Sequence, residues 1–281
     1  MLGEQPNGTL VVERMELKKP QLHVSALEMK CPEAFRRRYM ENEVIPPGVA
    51  LIVGTGTHHS IDVNLTAKIQ TGSLLSIGEV TDAARDGVNN AWEKGVKLEG
   101  DEALRGVKAV KGEAVDKAVR LATLHATQKA PTLKPTHVER KWVIEMPSSP
   151  VDLAGRIDIQ EGAVAIRDTK TSGKTPAANC AERSLQLKAY VLAVRTIDGQ
   201  SPKKAYLDYL IDTAKPKAET FEASPDVQDF NVLLRRVETL TIAMEKGVFI
   251  PVEPTHWCCD PKWCGYHSTC RYVRQPKQFA L

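Results

Sequence analysis

The sequence predicts a mixed α/β fold, with a small mixed β-sheet flanked by helices and a cysteine-rich C-terminal tail. Three observations support this prediction. Helix-forming segments come first, three short segments with strand character follow from residue 138, and a helix, a strand and another helix come after them. With 281 residues, 42% of them hydrophobic, the chain is long enough for one large domain with its own core.

The composition excludes several classes of protein. No stretch approaches the roughly 18 apolar residues of a membrane span, and the first twenty residues lack the apolar centre of a signal peptide. We therefore expect a cytoplasmic protein without a membrane partner. The net charge of +3 permits a polyanionic partner without requiring one.

The first part of the chain is predicted to hold an N-terminal arm and a helical block. Residues 1–22 show no sustained period and are taken as the arm, and residues 23–281 are taken as a single domain. Ser25 and Glu28 fit a capping box that would start a helix, and Pro32 predicts a break just after Cys31. Helix-forming residues then dominate the block at about 54–130.

The second part of the chain is predicted to hold the sheet, at about 137–212. Residues 138–145 alternate between apolar and polar side chains, and the short strands at 154–159 and 163–169 follow. Helical spacing returns at 184–194, a strand is expected at 205–211, and a long amphipathic helix is expected at 227–246.

Two acidic residues and a lysine mark the predicted hairpin. Asp168 and Lys170 are two apart, so in a strand they project from the same face. Asp158 can face Asp168 across the hairpin only if the connecting loop has an odd length or the strand a bulge. A two-residue loop at Glu161 and Gly162 would turn the two acids to opposite faces. We therefore expect an odd-length loop or a bulge.

These residues suit phosphate chemistry. Two carboxylates and the Thr169 carbonyl are hard oxygen ligands of the kind that Mg²⁺ and Mn²⁺ take, and Lys170 could orient a water molecule or stabilise a developing anion. Phosphodiester hydrolysis follows as a hypothesis. The alternative is that Asp158 and Asp168 are solvated strand residues with Lys170 as their ion-pair partner.

The pattern resembles the PD-(D/E)XK nuclease superfamily, in particular its RecB-like exonuclease branch. Two further motifs agree in order and spacing, Gly-x-x-x-His at residues 54–58 and Gln-x-x-x-Tyr at residues 186–190. The likeness covers residues 24–270. It implies a restriction-endonuclease-like core and a Mg²⁺- or Mn²⁺-dependent deoxyribonuclease.

The resemblance also implies roles for single residues. His58, Asp158, Asp168 and the Thr169 carbonyl would be metal ligands, and Lys170 would be the catalytic lysine. Gln186 and Tyr190, which share one helical face, would support the site. A weaker register places His59 in the position of His58, and we favour His58.

Cysteines crowd the C-terminal tail at 256–272, where Cys259, Cys264 and Cys270 follow one another closely. With Cys31 as the fourth ligand, they resemble the iron-sulfur subset of RecB-like nucleases, of the AddB and CRISPR-adaptation type. The resemblance implies a [4Fe-4S] cluster with a structural role. Cys258 remains an alternative to Cys259, and structural Zn²⁺, with Cys31 or His267 as the fourth ligand, remains an alternative to the cluster.

The function expected from these features is hydrolysis from the ends of single- or double-stranded DNA, in recombination, repair or phage replication. No nucleotide-binding Gly-x-x-x-x-Gly-Lys-Ser/Thr motif occurs, so unwinding would need a helicase or recombination partner. Trp257, Trp263 and Tyr266 are expected to shield the cluster. The alternative function is that of a non-catalytic DNA-binding or scaffold protein that keeps the nuclease fold.

Overall fold

A computed structural model describes residues 19–261 and 263–273 of the chain. The predicted arm, residues 1–22, lies largely outside these ranges. Its last two described residues belong to a short strand, β1, Gln21–His23. The chain therefore enters the domain through the sheet, earlier than the sequence indicated.

Two short helices follow β1. Helix α1 is Val24–Leu27, and α2 is Pro32–Phe35, which continues into a single π-helical turn, Arg36–Met40. The predicted capping box at Ser25 is wrong, because β1 leads directly into a helix that begins at the buried Val24, with no side-chain cap. The predicted break at Pro32 is confirmed, since Pro32 opens α2 at a position where its missing N–H is not needed.

The helical block contains four helices, as the sequence predicted in outline. They are α3, Val49–Thr71; α4, Ile77–Glu93; α5, Asp101–Arg105; and α6, Val107–Gln128. Helices α3 and α4 cross at two glycines, Gly56 and Gly87. A Cβ atom on Gly87 would lie only 2.8 Å from the Gly56 Cα atom. This close crossing fixes the position of α3 beside the sheet.

The remaining elements build the sheet and one of its helical layers. They are β2, His137–Ile144; β3, Asp152–Glu161; β4, Ala165–Ser172; α7, Leu185–Asp198; β5, Lys204–Ile211; β6, Lys217–Ala223; and α8, Val227–Lys246. The predicted strands and helices of this region are confirmed. Strands β1 and β6 were not predicted.

Strand β3 lies at the centre of the six-stranded sheet. Strand β2 runs antiparallel along one edge of it. Two strands share the opposite edge of β3. Strand β1 pairs in parallel with residues 152–154 of β3, and β4 pairs in antiparallel fashion with residues 159–161 of β3. Strand β4 then continues parallel to β5, and β6 closes the sheet. Between β1 and β4, residues 155–158 of β3 pair with no other strand on this edge within the described part of the chain.

Helices cover the sheet on both faces. Ile157 and Ile166 belong to an apolar cluster with α7 and α8, whereas Ile159 and Leu210 belong to a second cluster with α3 and α6. The result is a mixed α/β sandwich of the restriction-endonuclease-like type, as the sequence predicted. Every helix within the described ranges is too short or too polar to span a bilayer.

Candidate active site

The hairpin between β3 and β4 places two carboxylates opposite each other. Its loop has three residues, 162–164, and the ladder pairs Glu161 with Ala165 and Ile159 with Arg167. The next step in this register brings Asp158 opposite Asp168. The predicted odd-length loop is therefore confirmed. The ladder ends at this step, so the two strands part where the acids stand.

A third carboxylate, on β2, lies beside these two. The sequence analysis did not assign it to the site. The β2–β3 ladder pairs Val138 with Ile159 and Arg140 with Ile157, so the position between them sets Glu139 opposite Asp158. Glu139 has φ +51°, an unfavourable backbone conformation for a residue other than glycine. Three acids on three neighbouring strands thus form one row across the sheet.

Helix α3 adds an imidazole to the row. His58 Nδ1 lies 3.5 Å from Asp158 Oδ2, and single ligand atoms of His58, Glu139 and Asp158 all lie within 4.8 Å of one another. His59, the weaker candidate, packs instead against α4, where a Cβ atom on Gly87 would lie 2.9 Å from the His59 Cβ atom. The structure thus brings His58 to the acids and turns His59 toward the helical block.

The charge of this group favours a cation. Burial, with a further contribution from Asp158, raises the pKa of Glu139 to about 7, although Arg156 Nε lies 2.5 Å from Glu139 Oε2. Asp158 contributes to this pKa shift because two neighbouring carboxylates repel each other, and a cation bound between them would relieve that repulsion. Two carboxylates and an imidazole are suitable ligands for a divalent metal ion. The donor set and the charge of the site both fit such an ion.

Asp168, the acid of the row on β4, forms an ion pair with the half-buried Lys170. Asp168 is almost fully buried, and its Oδ2 atom lies 2.7 Å from Lys170 Nζ. Burial and the charge of Asp158 raise the pKa of Asp168. Burial lowers the pKa of Lys170, but the charge of Asp168, the hydrogen bond to it and the charge of Asp158 together outweigh burial, so the net shift is upward and Lys170 stays cationic.

Helix α7 holds this lysine in place. Lys170 Nζ donates a hydrogen bond to Gln186 Oε1 at 2.6 Å, and Gln186 Nε2 donates one to the Tyr190 hydroxyl oxygen at 2.5 Å. Gln186 and Tyr190 lie one turn apart on α7, which begins with the Ser184 side chain accepting a hydrogen bond from Leu187 N–H. The relay Lys170, Gln186 and Tyr190 therefore joins the ion pair to a buried helix.

The backbone of Thr169 faces the opening between β3 and β4. Its N–H donates a hydrogen bond to Asp158 Oδ2 at 3.0 Å. In an extended strand the N–H and C=O of one residue point to the same side, so the Thr169 carbonyl also faces Asp158. All of the site residues assigned from the sequence near the hairpin thus converge on one opening in the sheet.

Glu139 was missed because its place depends on the connection between β2 and β3. An acid in the first predicted strand was visible, but the loop at residues 145–151 did not reveal the register of the two strands. Only a register that pairs Val138 with Ile159 brings Glu139 beside Asp158. A sequence reader who tested each possible register for an alignment of acids could have found it.

Five cysteines gather where the C-terminal tail meets the segment that precedes α2. Burial raises the pKa of the Cys259 thiol to about 11, and the charges of four other cysteines raise it further. These four are Cys31, Cys258, Cys264 and Cys270, so Cys259 lies near all of them. The Sγ atom of Cys258 also lies 3.0 Å from the Nδ1 atom of His256. Cys180 stands apart and packs against the apolar core.

The tail is attached to the body of the domain by a buried arginine. Arg37 donates hydrogen bonds to Thr269 Oγ1 at 2.7 Å and to the Tyr266 carbonyl at 3.3 Å, and its guanidinium also binds Glu43. The Tyr266 hydroxyl donates a hydrogen bond to the Glu43 carbonyl at 2.6 Å. The cysteines of the tail are thereby held against Cys31, which immediately precedes α2.

The fold and the site together define a protein of the nuclease class, with a row of acids beside a half-buried lysine. A model of the PD-(D/E)XK nuclease superfamily matches residues 24–271, and the chain belongs to that superfamily. The comparison with curated proteins found no match.

Solved structures share the fold. A protein from Eubacterium rectale described as a candidate exonuclease is 13% identical, with a TM-score of 0.53, over 98% of this chain and 96% of that one. SSO0001 is 13% identical with a TM-score of 0.45, over 92% of this chain and 89% of that one. LHK-Exo in complex with dAMP is 11% identical with a TM-score of 0.29, over 71% of this chain and 92% of that one. The last two similarities are too weak to carry an argument, and the first shows the fold alone.

Proposed function

We propose that the protein is a metal-dependent deoxyribonuclease of the RecB-like branch, which hydrolyses phosphodiester bonds from DNA ends in the cytoplasm. The observation that carries the proposal is the row Glu139, Asp158 and Asp168 beside a half-buried, cationic Lys170. A solvated ion pair would not need Lys170 to be held by a second hydrogen bond to a buried helix. A helicase or recombination partner would supply the unwound ends.

The residues of the site have two separate roles, metal binding and stabilisation of developing charge. Asp158, Asp168, His58, Glu139 and the Thr169 carbonyl would hold Mg²⁺ or Mn²⁺. When bound, the ion supplies Lewis acidity and a lowered water pKa. Lys170 would donate hydrogen bonds to the attacking water or to the phosphate oxygen that gains charge, and its fixed position beside Asp168 and Gln186 prepares it for this role.

Gln186 and Tyr190 have a supporting role. Because Gln186 accepts from Lys170 and donates to Tyr190, it fixes the direction of the ammonium group. The pKa of Tyr190 is raised well above its usual value by burial and by the charges of Asp168 and Asp158, so its hydroxyl remains protonated. The relay therefore positions the cation without adding charge to the site.

For the tail we propose that Cys31, Cys259, Cys264 and Cys270 hold a [4Fe-4S] cluster that fastens the two ends of the domain together. The mutual proximity of the thiols supports it.

The nuclease proposal is tested with end-labelled linear DNA, single- and double-stranded, in the presence of Mg²⁺ or Mn²⁺. Covalently closed circles are the control, and Lys170→Ala is the matched variant. We expect metal-dependent shortening of linear DNA that the variant loses and that circles do not show. If intact protein binds these DNAs but cuts none of them, the non-catalytic binding or scaffold function replaces the enzyme.

The cluster proposal has its own test. The purified protein should show broad visible absorption and contain about four iron atoms per chain. Cys259→Ser should abolish this absorption, whereas Cys258→Ser should retain it. Stoichiometric zinc without visible absorption would replace the cluster with a zinc site.

A further inference from the structure

Two exposed cations lie side by side on the sheet, next to the row of acids. Lys141 on β2 and Arg156 on β3 are direct partners in the β2–β3 ladder, and both are exposed. Their chain neighbours Trp142 and Ile157 are buried in the apolar cluster with α7 and α8. Because successive side chains of a strand alternate between faces, Lys141 and Arg156 project from the other face of the sheet, away from that cluster.

Arg156 is joined to the row of acids on one side and open to solvent on the other. Its Nε atom lies 2.5 Å from Glu139 Oε2, and its side chain is 60% exposed. The contact is an ion pair without the alignment of a hydrogen bond, since Glu139 Oε2 has no hydrogen-bond partner among the described residues. A guanidinium group has five N–H donors in a planar fork. Arg156 can therefore remain beside Glu139 and still bind a second anion with its outer nitrogens.

Lys141 has no acidic partner within the described part of the chain. The charged residue directly opposite it is Arg156, which has the same sign. Like charges at directly opposed positions of paired strands repel each other, and an anion bound between them would reverse this effect. Lysine and arginine both bind phosphate, the first as a point charge and the second through its fork. The pair is therefore suited to a phosphate group.

The two cations lie one short step along the strands from the acids. Arg156 is two positions from Asp158 on β3, and Lys141 is two positions from Glu139 on β2. Two residues of a β-strand span about 7 Å, which is close to the spacing of successive phosphates in an extended DNA strand. A strand with one phosphate at the row of acids would therefore bring a neighbouring phosphate to Lys141 and Arg156.

We infer that Lys141 and Arg156 bind a DNA phosphate next to the one that is cut. The inference rests on the proposed function and deepens it, because it names two residues that position the strand beside β2. Contacts to phosphate carry no sequence information, so the pair adds affinity for DNA of any sequence. Both are positioning residues, since they hold the strand one phosphate away from the bond that breaks.

The salt dependence of DNA binding tests the inference. Affinity for fluorescent oligo(dT) is measured in EDTA, which prevents metal-dependent cleavage, over a range of NaCl concentrations. Each phosphate contact to single-stranded DNA contributes about 0.7 to the slope of log affinity against log salt concentration. The slope should therefore become shallower by about 0.7 in Lys141→Gln and by about 1.4 in Lys141→Gln/Arg156→Gln.

The single variant separates phosphate binding from a structural role. Arg156→Gln also removes the contact with Glu139, whereas Lys141 makes no ion pair with the described residues, so Lys141→Gln leaves the row of acids intact. Lys141→Gln alone decides the question if the double variant does not fold. The matched control is Lys108→Gln/Lys111→Gln, which removes two cations near the start of α6 and should leave the slope unchanged.

Unchanged slopes in Lys141→Gln and in the double variant would overturn the inference, and so would a lack of oligo(dT) binding by the unaltered protein at low salt. The nuclease proposal would then still be decided by the cleavage test with Lys170→Ala. Shallower slopes in a protein that never cuts DNA would retain the phosphate site while the nuclease proposal fails.

Discussion

Lys170 Nζ lies 2.6 Å from Gln186 Oε1, so the cation of the site is held by a helix as well as by the carboxylate of Asp168. The ion pair alone would let the ammonium group rotate around one partner. The second hydrogen bond fixes its direction, which is what a group that must point at a reacting oxygen requires.

The first prediction concerns this hydrogen bond. Gln186→Ala removes the acceptor but leaves the charge of Lys170, so cleavage of linear DNA should fall by roughly 10-fold, against about 100-fold or more for Lys170→Ala. Initial rates at saturating metal measure both effects. Gln228→Ala, at the exposed start of α8, is the matched control. Equal losses in Gln186→Ala and Lys170→Ala would show that Gln186 does more than orient the lysine.

The second prediction concerns Glu139. Glu139→Gln keeps the size of the side chain but removes a carboxylate from the group with His58 and Asp158. The Mg²⁺ concentration for half-maximal cleavage should therefore rise by roughly 10-fold or more. Glu145→Gln, at an exposed position just beyond β2, should leave this concentration unchanged. An unchanged metal requirement in Glu139→Gln would remove Glu139 from the metal site.

The third prediction concerns the dependence of stability on pH. His125 in α6 is fully buried, its ring nitrogens have no hydrogen-bond partner in the part of the chain that the structure describes, and burial lowers its pKa to about 4 from 6.5. Since the folded pKa is depressed, its contribution is complete above pH 6.5 and is lost as the pH falls toward 4. The contribution at stake is about 3 kcal/mol.

The test compares unfolding free energies at pH 7 and pH 4. The difference between the two values should be smaller by about 3 kcal/mol in His125→Leu than in the unaltered protein. His137→Leu, which replaces an exposed histidine at the start of β2, should leave the difference unchanged. The same pH dependence in both variants would assign the acid sensitivity to other groups.

The fourth prediction separates two glycines of α3. A Cβ atom on Gly56 would lie 2.4 Å from Val88 Cγ2 and 2.9 Å from the Ala84 carbonyl oxygen, so Gly56→Ala should destabilise the fold by about 1–3 kcal/mol. A Cβ atom on Gly54 would lie 3.5 Å from Thr171 Oγ1, an ordinary contact, so Gly54→Ala should be tolerated. Thermal unfolding measures both. A larger effect at Gly54 would contradict this packing.

Much of the site was predicted from local patterns in the sequence. Asp168 and Lys170 share a face because they are two apart in a strand, and Gln186 and Tyr190 share one because they are four apart in a helix. Such spacings are independent of the rest of the fold. For the same reason the long helix α8 was predicted with its observed bounds, Val227–Lys246.

The parts that were missed depend on contacts between distant segments. Glu139 reaches the site through the register of two strands joined by a loop, and β1 exists only because it pairs with β3. Trp257 and Trp263 were expected to shield the cluster but are exposed, and their exposure depends on how the tail is attached through Arg37. None of these relationships produces a periodic pattern of residue types in the sequence.

The row of acids on three strands has a consequence for biosynthesis. Glu139, Asp158 and Asp168 meet only after β2, β3 and β4 have paired in register, and Lys170 is aimed only after α7 has packed on the sheet. A nascent or half-folded chain therefore lacks the complete arrangement of the proposed active site. The proposed nuclease activity would arise only after the last of these pairings is in place.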